Sequence, residues 1–394
     1  MKKKELIIVN TLLAVLFLSF GWLTFNLSVN QLPADARAVQ ASAKQESDAT
    51  PCSKTASLKI NASDDPNLKR LADYQDVCSS FVTDKLMVFT GFSENQAAAD
   101  TNAAAMADKL KKFHQSGVKP IVIAEPYLGN SAMSFKTYLT GAYDDGMNEY
   151  FKKLKEDGVT DDMMGTWVPF PEPNTPQWNN KDTEPRDFAL CVNKYLSKMK
   201  EYFPGAQGSV LLNATTYEPN DVNWDNGDYI NLSSYLDAIN KDLVSSFGIQ
   251  GFPWVSNAQQ RKRTIFKASE FLQPDLAIGA AQTLRTRNIW INTGTFASKY
   301  ANDPSKTVTL SASERKAVLD DILTVADNIR SYQQNEYRVS INLFSEDKRT
   351  AEEATDWSYF QNPETKAVLK EFLTKANDDE MPVSLFDEAK WQLK

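Results

Sequence analysis

The sequence has 394 residues, of which 42% are hydrophobic and 24% are charged, and this predicts one large globular domain preceded by a non-globular end. The net charge is -8, from 43 basic and 51 acidic side chains, which argues against a nucleic-acid partner because phosphates attract clustered lysine and arginine. The single histidine, His114, is too little for a Ser-His-Asp triad or a histidine-based metal site.

The first 54 residues are predicted to lie outside the globular domain. Residues 1–5 form a basic tip with three lysines, and residues 6–29 are a mostly apolar run without a charge, long enough to cross a bilayer as a signal-anchor helix. The lysines favour a cytoplasmic N-terminus. Small residues in Ala38–Ala43 leave a cleaved signal peptide, and therefore secretion, as the alternative. Residues 30–54 are polar and lack hydrophobic periodicity, which is typical of a disordered tether.

Either N-terminal interpretation places residues 55–394 outside the cytoplasmic membrane. Disulfide bonds form in that environment, and Cys52 and Cys78 could be joined at the start of the domain. Cys191 lies on a predicted helix and is expected to be a buried hydrophobic residue.

Short strand-like runs alternate with longer helical runs from residue 57 to the end of the sequence. The predicted strands are Ser57–Asn61, Lys85–Phe92, Lys119–Tyr127, Met163–Phe170, Ser209–Tyr217, Ser245–Trp254, Asn288–Phe296 and Tyr337–Ser345. The clearest amphipathic helices are Asn95–Gly117, Asp144–Gly158 and Ser313–Gln333. This alternation favours an α/β fold of the (β/α)8 TIM-barrel type over residues 55–394. An open doubly wound sheet is the alternative, although no GxGxxG motif follows an early strand.

The C-terminal ends of barrel strands are where such folds carry their chemistry. The predicted site residues at or beyond these ends are Glu125, Glu172, Asn174, Trp178, Tyr217, Trp224, Trp254 and Asn292. Flat aromatic faces pack against sugar rings, and carboxylates and amides bind hydroxyl groups. The mixture therefore predicts a carbohydrate site. The competing interpretation is that the aromatic residues close the barrel and the acidic residues are solvated.

Three stretches resemble the β-mannanase-like glycoside hydrolases of family 26. They are Thr140–Trp178, which contains PFPEPN, Gly227–Trp254 and Asp356–Phe360. The resemblance implies a retaining (β/α)8 glycosidase with an acid/base glutamate after the fourth strand and a nucleophilic glutamate after the seventh. By position, it makes Glu172 the acid/base and Asn174 a residue that helps to bind the sugar near the reacting carbon.

The seventh predicted strand departs from this family pattern. IWINTGTF puts Asn292 where the nucleophile belongs, and Pro171 replaces the histidine that usually precedes the acid/base. Retaining hydrolysis needs two carboxyl groups about 5 to 5.5 Å apart, and a neutral amide cannot form the glycosyl ester.

Three interpretations of this departure stay open. The site is catalytically impaired and holds sugars, or the substrate carries its own nucleophile, which Asn292 orients. The third is that another carboxylate supplies the missing group, from the set Glu125, Glu218, Asp228 and Glu346.

The sequence therefore predicts a membrane-tethered, extracytoplasmic protein that binds or cleaves a β-linked polysaccharide. The alternative is a non-catalytic partner in a cell-envelope or polysaccharide assembly. No metal or other cofactor is implied, because this glycosidase chemistry needs none, although weak calcium binding near Asp225 and Asp228 stays open. The sequence predicts no particular oligomeric state.

Overall fold

The computed structural model describes residues 85–125, 134–174, 184–214, 232–251, 268–294, 310–332, 337–344, 363–379 and 381–386, together with residues 69, 72–74, 77–78, 127–128, 131–132, 255–256, 264–265, 297–298, 347–349, 354–356 and 359. The predicted anchor, the tether and Cys52 lie outside these residues. Within them, no helix has both the length and the apolar character that crossing a bilayer requires.

Eight parallel strands form a closed barrel. They are β1 Lys85–Thr90, β2 Lys119–Ala124, β3 Thr166–Pro169, β4 Gln207–Asn213, β5 Val244–Gln250, β6 Asn288–Gly294, β7 Arg338–Phe344 and β8 Val383–Phe386. Each strand pairs with the next one along the chain, and β8 closes the ring by pairing with β1. The closed ring confirms the predicted (β/α)8 barrel and excludes the open doubly wound sheet.

The eighth strand of the ring corrects the strand prediction. Seven predicted strands are present within a few residues of their expected bounds, but Val383–Phe386 was not among them. This strand has four residues and lies in a polar stretch, so it carries little periodicity for a sequence reading to detect. Ser57–Asn61, the predicted first strand, lies outside the described residues. Each of the other seven strands therefore stands one place earlier in the barrel than predicted.

Helices connect the strands. They are α1 Gln96–Gln115, α2 Phe135–Leu139, α3 Asp144–Glu156, α4 Asp161–Met164, α5 Pro185–Tyr202, α6 Leu232–Leu236, α7 Ala268–Phe271, α8 Pro274–Thr283, α9 Ala312–Ser331 and α10 Pro363–Asp378. The start of α1 is fixed by the Asn95 side chain, which accepts two main-chain N–H bonds, and α9 begins with a capping box of Ser311 and Glu314. The three helices named from the sequence are therefore confirmed.

The barrel interior is filled by apolar side chains from alternate strand positions. They are Met87, Ile121, Ile123, Val168, Leu211, Trp290 and Phe344. The indole of Trp290 lies over Gly248, where an added Cβ atom would lie 2.2 Å from the ring, and its Nε1 donates to Ser209 Oγ at 3.0 Å. The barrel interior is thus a packed apolar core at this depth, and in folds of this type the site lies at the C-terminal mouth.

A second, aromatic part of the core lies outside the barrel wall beside β3. Trp167 and Phe170 are both fully buried there. The ring of Phe170 packs against Tyr138 at a centroid distance of 5.0 Å and against Tyr195 at 6.1 Å. The apolar residues that precede Glu172 therefore hold the barrel wall against its helices.

Candidate functional site

The turn after β3 has an unusual backbone conformation. Phe170 and Glu172 have φ angles of 52° and 51°, in the left-handed region that residues other than glycine seldom adopt. The Phe170 N–H donates to the Ala124 carbonyl of β2 at 3.0 Å, and the Glu172 N–H donates to the Leu211 carbonyl of β4 at 2.9 Å. Strained residues that are fixed by their surroundings are concentrated at functional sites, so this turn marks Glu172 as a candidate.

The carboxyl group of Glu172 is held by amides from the next two strands. Its Oε1 accepts a hydrogen bond from Asn213 Nδ2 at 2.8 Å and another from Gln250 Nε2. Asn213 is the last residue of β4, and Gln250 is the last residue of β5. Two N–H donors directed at one oxygen suit an ionised carboxylate, which has only acceptors to offer.

A row of buried amides continues from this contact across the barrel. Gln250 Oε1 accepts from Asn292 Nδ2, and Asn292 Oδ1 accepts from Asn342 Nδ2 at 2.7 Å. The Asn342 Nδ2 atom also lies 3.4 Å from Met87 Sδ, while Asn342 Oδ1 has no hydrogen-bond partner among the described residues. Gln250, Asn292 and Asn342 have exposed fractions of 8%, 2% and 0%. We call these three residues the amide row.

The amide row follows from the register of the barrel. Asn213 pairs with Gln250, Gln250 with Asn292, and Asn292 with Asn342 across neighbouring parallel strands. Residues that are register partners in parallel strands project to the same face at the same level. Four consecutive strands therefore present an amide side chain to the barrel interior at one level.

Asn174 supports this arrangement from the turn. Its Nδ2 donates to the Asn213 carbonyl at 2.8 Å, and its Oδ1 accepts from the Asn213 N–H at 3.0 Å. Asn174 thereby fixes the main chain of Asn213, whose side chain in turn holds Glu172. The role of Asn174 in sugar binding stays a prediction.

The predicted catalytic pair, Glu172 and Asn292, lies at the same mouth, but Gln250 bridges the two side chains. Both ends of the Asn292 amide are used within the amide row. The structure also corrects the strand positions that the family resemblance implied. Glu172 follows the third barrel strand and Asn292 lies on the sixth, whereas the fourth and seventh strands present Asn213 and Asn342 at this level.

Of the other predicted site residues, only Glu125 belongs to the described part of the chain. Glu125 directly follows β2, is half-buried, and donates its main-chain N–H to the Thr90 carbonyl at 3.0 Å. The remaining residues lie outside the described part of the chain, and they are Trp178, Tyr217, Trp224 and Trp254, with Glu218, Asp225, Asp228 and Glu346 from the alternatives. Among the described residues, no group of three or more His, Cys, Asp or Glu side chains could hold a metal ion.

The cysteines are in two different states. Cys78 forms a disulfide bond, but Cys52 lies outside the described residues, so their pairing stays a prediction. Cys191 carries a free, buried thiol that donates to the Phe135 carbonyl at 3.4 Å, and burial raises the pKa of this thiol. Cys191 therefore behaves as the buried hydrophobic residue that the sequence predicts.

Asn213, Gln250 and Asn342 belong to the site but are not among the residues predicted from the sequence. A signal was nevertheless present, because an aliphatic residue precedes an amide near the end of four successive strands, as LN, IQ, IN and IN. Counting the inward positions from each strand start would have aligned these four dipeptides.

No family model matches the chain, and no curated protein matches it. In structure the chain is similar to a fungal β-1,4-galactanase, with a TM-score of 0.44 and 11% identity over 76% of this chain and 89% of the other. It is also similar to a β-glucosidase from Thermotoga maritima, with a TM-score of 0.43 and 10% identity over 74% and 83% of the two chains. A third similar structure is the GH113 β-mannanase from Alicyclobacillus acidocaldarius, with a TM-score of 0.40 and 10% identity over 74% and 86%. The fold assignment rests on the strand topology given above.

Proposed function

We propose that this protein binds a β-linked polysaccharide or oligosaccharide at the C-terminal mouth of its barrel without retaining hydrolysis. The observation that carries this proposal is that, among the described residues of β4 to β7, the side chains at the level of the Glu172 carboxylate are amides. Retaining glycosidases need two carboxyl groups about 5 to 5.5 Å apart. At the level of Glu172, strands β4 to β7 present Asn213, Gln250, Asn292 and Asn342.

The half-buried groups of the site are suited to hydroxyl recognition. Glu172, Asn174 and Asn213 are partly exposed, whereas the amide row behind them is buried. A carboxylate oxygen accepts hydrogen bonds from sugar hydroxyls, and such charge-assisted bonds are stronger than neutral ones. Because the turn and its supporting amides fix the carboxylate before a ligand arrives, binding does not need to order it.

We also propose that residues 6–29 anchor the protein in a membrane and that the barrel lies on the extracytoplasmic side, where a polysaccharide is available. The uncharged apolar run and its lysine flank support this orientation, and so does the disulfide bond of Cys78, because disulfides persist in oxidising compartments. In cells that express the full chain, a membrane-impermeant lysine reagent should label the barrel in intact cells. Labelling only after lysis would contradict this orientation.

Binding and turnover are measured together on the full-length protein. The probes are oligosaccharides of β-1,4-galactan, β-linked glucose and β-mannan, a panel chosen from the names of the three similar proteins. Calorimetry should show saturable binding to at least one probe, and a parallel assay should show no release of reducing ends.

The Glu172→Gln variant should weaken binding roughly tenfold or more, because it replaces a charge-assisted hydrogen bond by a neutral one. The matched control is Glu149→Gln on α3, whose carboxylate lies near Lys152 on the outer surface, and its affinity should equal that of the wild type. Release of reducing ends that Glu172→Gln abolishes would instead show a hydrolase. No binding to any probe would contradict the proposal and favour the non-catalytic assembly partner.

A further inference from the structure

We infer that Gln250, Asn292 and Asn342 form one directional hydrogen-bond relay, which couples the side chain at position 342 to the protonation of Glu172 although two side chains separate them. The inference deepens the proposed function, because it assigns Glu172 the role of a fixed acceptor for ligand hydroxyls. It rests on hydrogen-bond chemistry within the barrel and is testable without a ligand.

The direction of the relay is set at the Glu172 end. An ionised carboxylate only accepts hydrogen bonds, so Gln250 must turn its Nε2 towards Glu172 and its Oε1 towards Asn292. Asn292 must then donate to Gln250, and its own oxygen faces Asn342, which donates in turn. A primary amide has one donor end and one acceptor end, so none of the three can reverse alone without setting two donors or two acceptors against each other.

The contacts of Asn342, at the other end of the relay from Glu172, indicate that Glu172 determines the direction of the hydrogen bonds. Asn342 Oδ1 is fully buried and, within the part of the chain that the structure describes, has no hydrogen-bond partner, while Asn342 Nδ2 faces both Asn292 Oδ1 and Met87 Sδ. The reversed relay would satisfy this oxygen with Asn292 Nδ2. Reversal would also turn Gln250 Oε1 towards Glu172, and that contact forms only if the carboxyl group carries a proton. The observed direction therefore leaves one buried acceptor unpaired in order to keep Glu172 ionised.

Few other charged groups face Glu172 from the described strand ends. The adjacent end of β2 carries Glu125, and beyond β1 stands Glu94, whereas these ends carry no lysine or arginine. On the outer side, the Tyr150 hydroxyl bonds to Thr90 of β1, and burial raises the pKa of Tyr150, so this group stays neutral. Among described residues, Asn213 and the Gln250 end of the relay both donate to the carboxyl group, and Glu125 is the nearby charge that competes with them.

The test follows the Glu172 carboxyl carbon by NMR in full-length protein labelled at the glutamate side-chain carboxyl, with Glu172→Gln used to assign the signal. In Asn342→Asp the new carboxyl group only accepts once it is ionised, and in that state Asn292 and Gln250 should reverse and Glu172 should retain its proton to higher pH. The midpoint of its titration should rise by about one pH unit or more.

Two further variants distinguish an effect that passes through the relay from a direct electrostatic effect of the added charge on Glu172. Asn342→Leu removes the last amide without imposing a direction and should leave the midpoint within about half a unit of the wild type. Asn342→Asp combined with Asn292→Leu keeps the charge but interrupts the relay, so the rise should disappear. A rise that persists in this double variant, or no rise in Asn342→Asp at a pH at which the NMR spectrum shows the new carboxyl group to be ionised, would overturn the inference.

A measurement on the wild type covers the case in which Asn342→Asp does not fold. The side-chain amide signals of the three relay residues should change together at the Glu172 midpoint, and Glu172→Gln should abolish the change. Independent midpoints for the three amides would overturn the inference. All of these experiments are done without glycan, so a failure to bind glycan and a failure of the relay are distinguishable.

Discussion

Replacement of Gly248 by alanine tests the packing beneath the site. The added Cβ atom would lie 2.2 Å from Trp290 Cζ2, 2.4 Å from Cε2 and 2.6 Å from Cη2. The indole is only 4% exposed, so it has no free solvent into which to move. We expect Gly248→Ala to lower the free energy of unfolding by about 2 to 3 kcal/mol, within the range known for overpacked cores. If the added Cβ atom met no other atom, the same change in a strand would stabilise the protein by roughly 0.5 to 1 kcal/mol. The sign of the change in the free energy of unfolding therefore distinguishes a packed position from an open one.

A second variant tests whether contact with Trp290 causes the loss of stability in Gly248→Ala. Trp290→Phe removes the Cζ2 and Cη2 atoms and loses the hydrogen bond to Ser209, so alone it should cost about 1 to 3 kcal/mol. In the double variant the new methyl group occupies the space that the indole has left. The two effects should therefore be less than additive by about 1 to 2 kcal/mol.

The assay is urea unfolding followed by far-UV circular dichroism, because Trp290→Phe changes the fluorescence. Gly279→Ala on α8 is the matched control, since an added Cβ atom there meets no other atom within 4 Å. It should stabilise the protein by up to about 1 kcal/mol, the helix preference of alanine over glycine. If Gly248→Ala is as stable as the wild type, or if the two substitutions are additive, Trp290 does not occupy the barrel interior as described.

Two further predictions concern the helices and the free thiol. Hydrogen bonds from Lys316 lower the pKa of Glu371, and, against the effect of partial burial, Lys375 and Lys316 also lower the pKa of Asp320. These half-exposed carboxylates therefore stabilise the fold at neutral pH and lose this effect as the pH falls through their lowered pKa values. Lys316→Met should lower the free energy of unfolding by less than about 1 kcal/mol at pH 7, and by less still in high salt or strong acid. A cost that is unchanged in acid would contradict this. Burial raises the pKa of the Cys191 thiol, so iodoacetamide should alkylate this residue at least about a hundred times faster in urea than in the folded protein, and equal rates would contradict its burial.

The sequence predicts the barrel well because most of its strands are continuous apolar runs that alternate with amphipathic helices. Lys119–Ala124 and Arg338–Phe344, for example, lie within two strands predicted at Lys119–Tyr127 and Tyr337–Ser345. The short strand Val383–Phe386 was missed, and its absence shifted the count of every other strand. The type of each element was thus predictable from the local sequence pattern, whereas the position of each strand in the barrel depended on the one strand that this pattern does not reveal.

Three residues of the site, Glu172, Asn174 and Asn292, were predictable, but the backbone conformation of the turn and the contacts between strands were not. The prolines around Glu172 indicate a strand end, but nothing local predicts the left-handed conformation of Phe170 and Glu172, which non-glycine residues seldom adopt. The contact between Glu172 and Gln250 joins residues that are 78 positions apart. Such a contact is set by the closure and stagger of the barrel, neither of which is encoded in a short stretch of sequence.

The closing strand also affects how the protein is made. β8 is the last of the eight strands to be synthesised, and its neighbours in the ring are β7 and β1. Until it has emerged, both of those strands present an open hydrogen-bonding edge, the kind of surface that pairs with other chains. If residues 6–29 tether the growing chain to a bilayer, nascent copies would be held in the same plane while these edges are still uncovered. Chaperones that cover strand edges would then be needed most in the interval before the final segment of the barrel arrives.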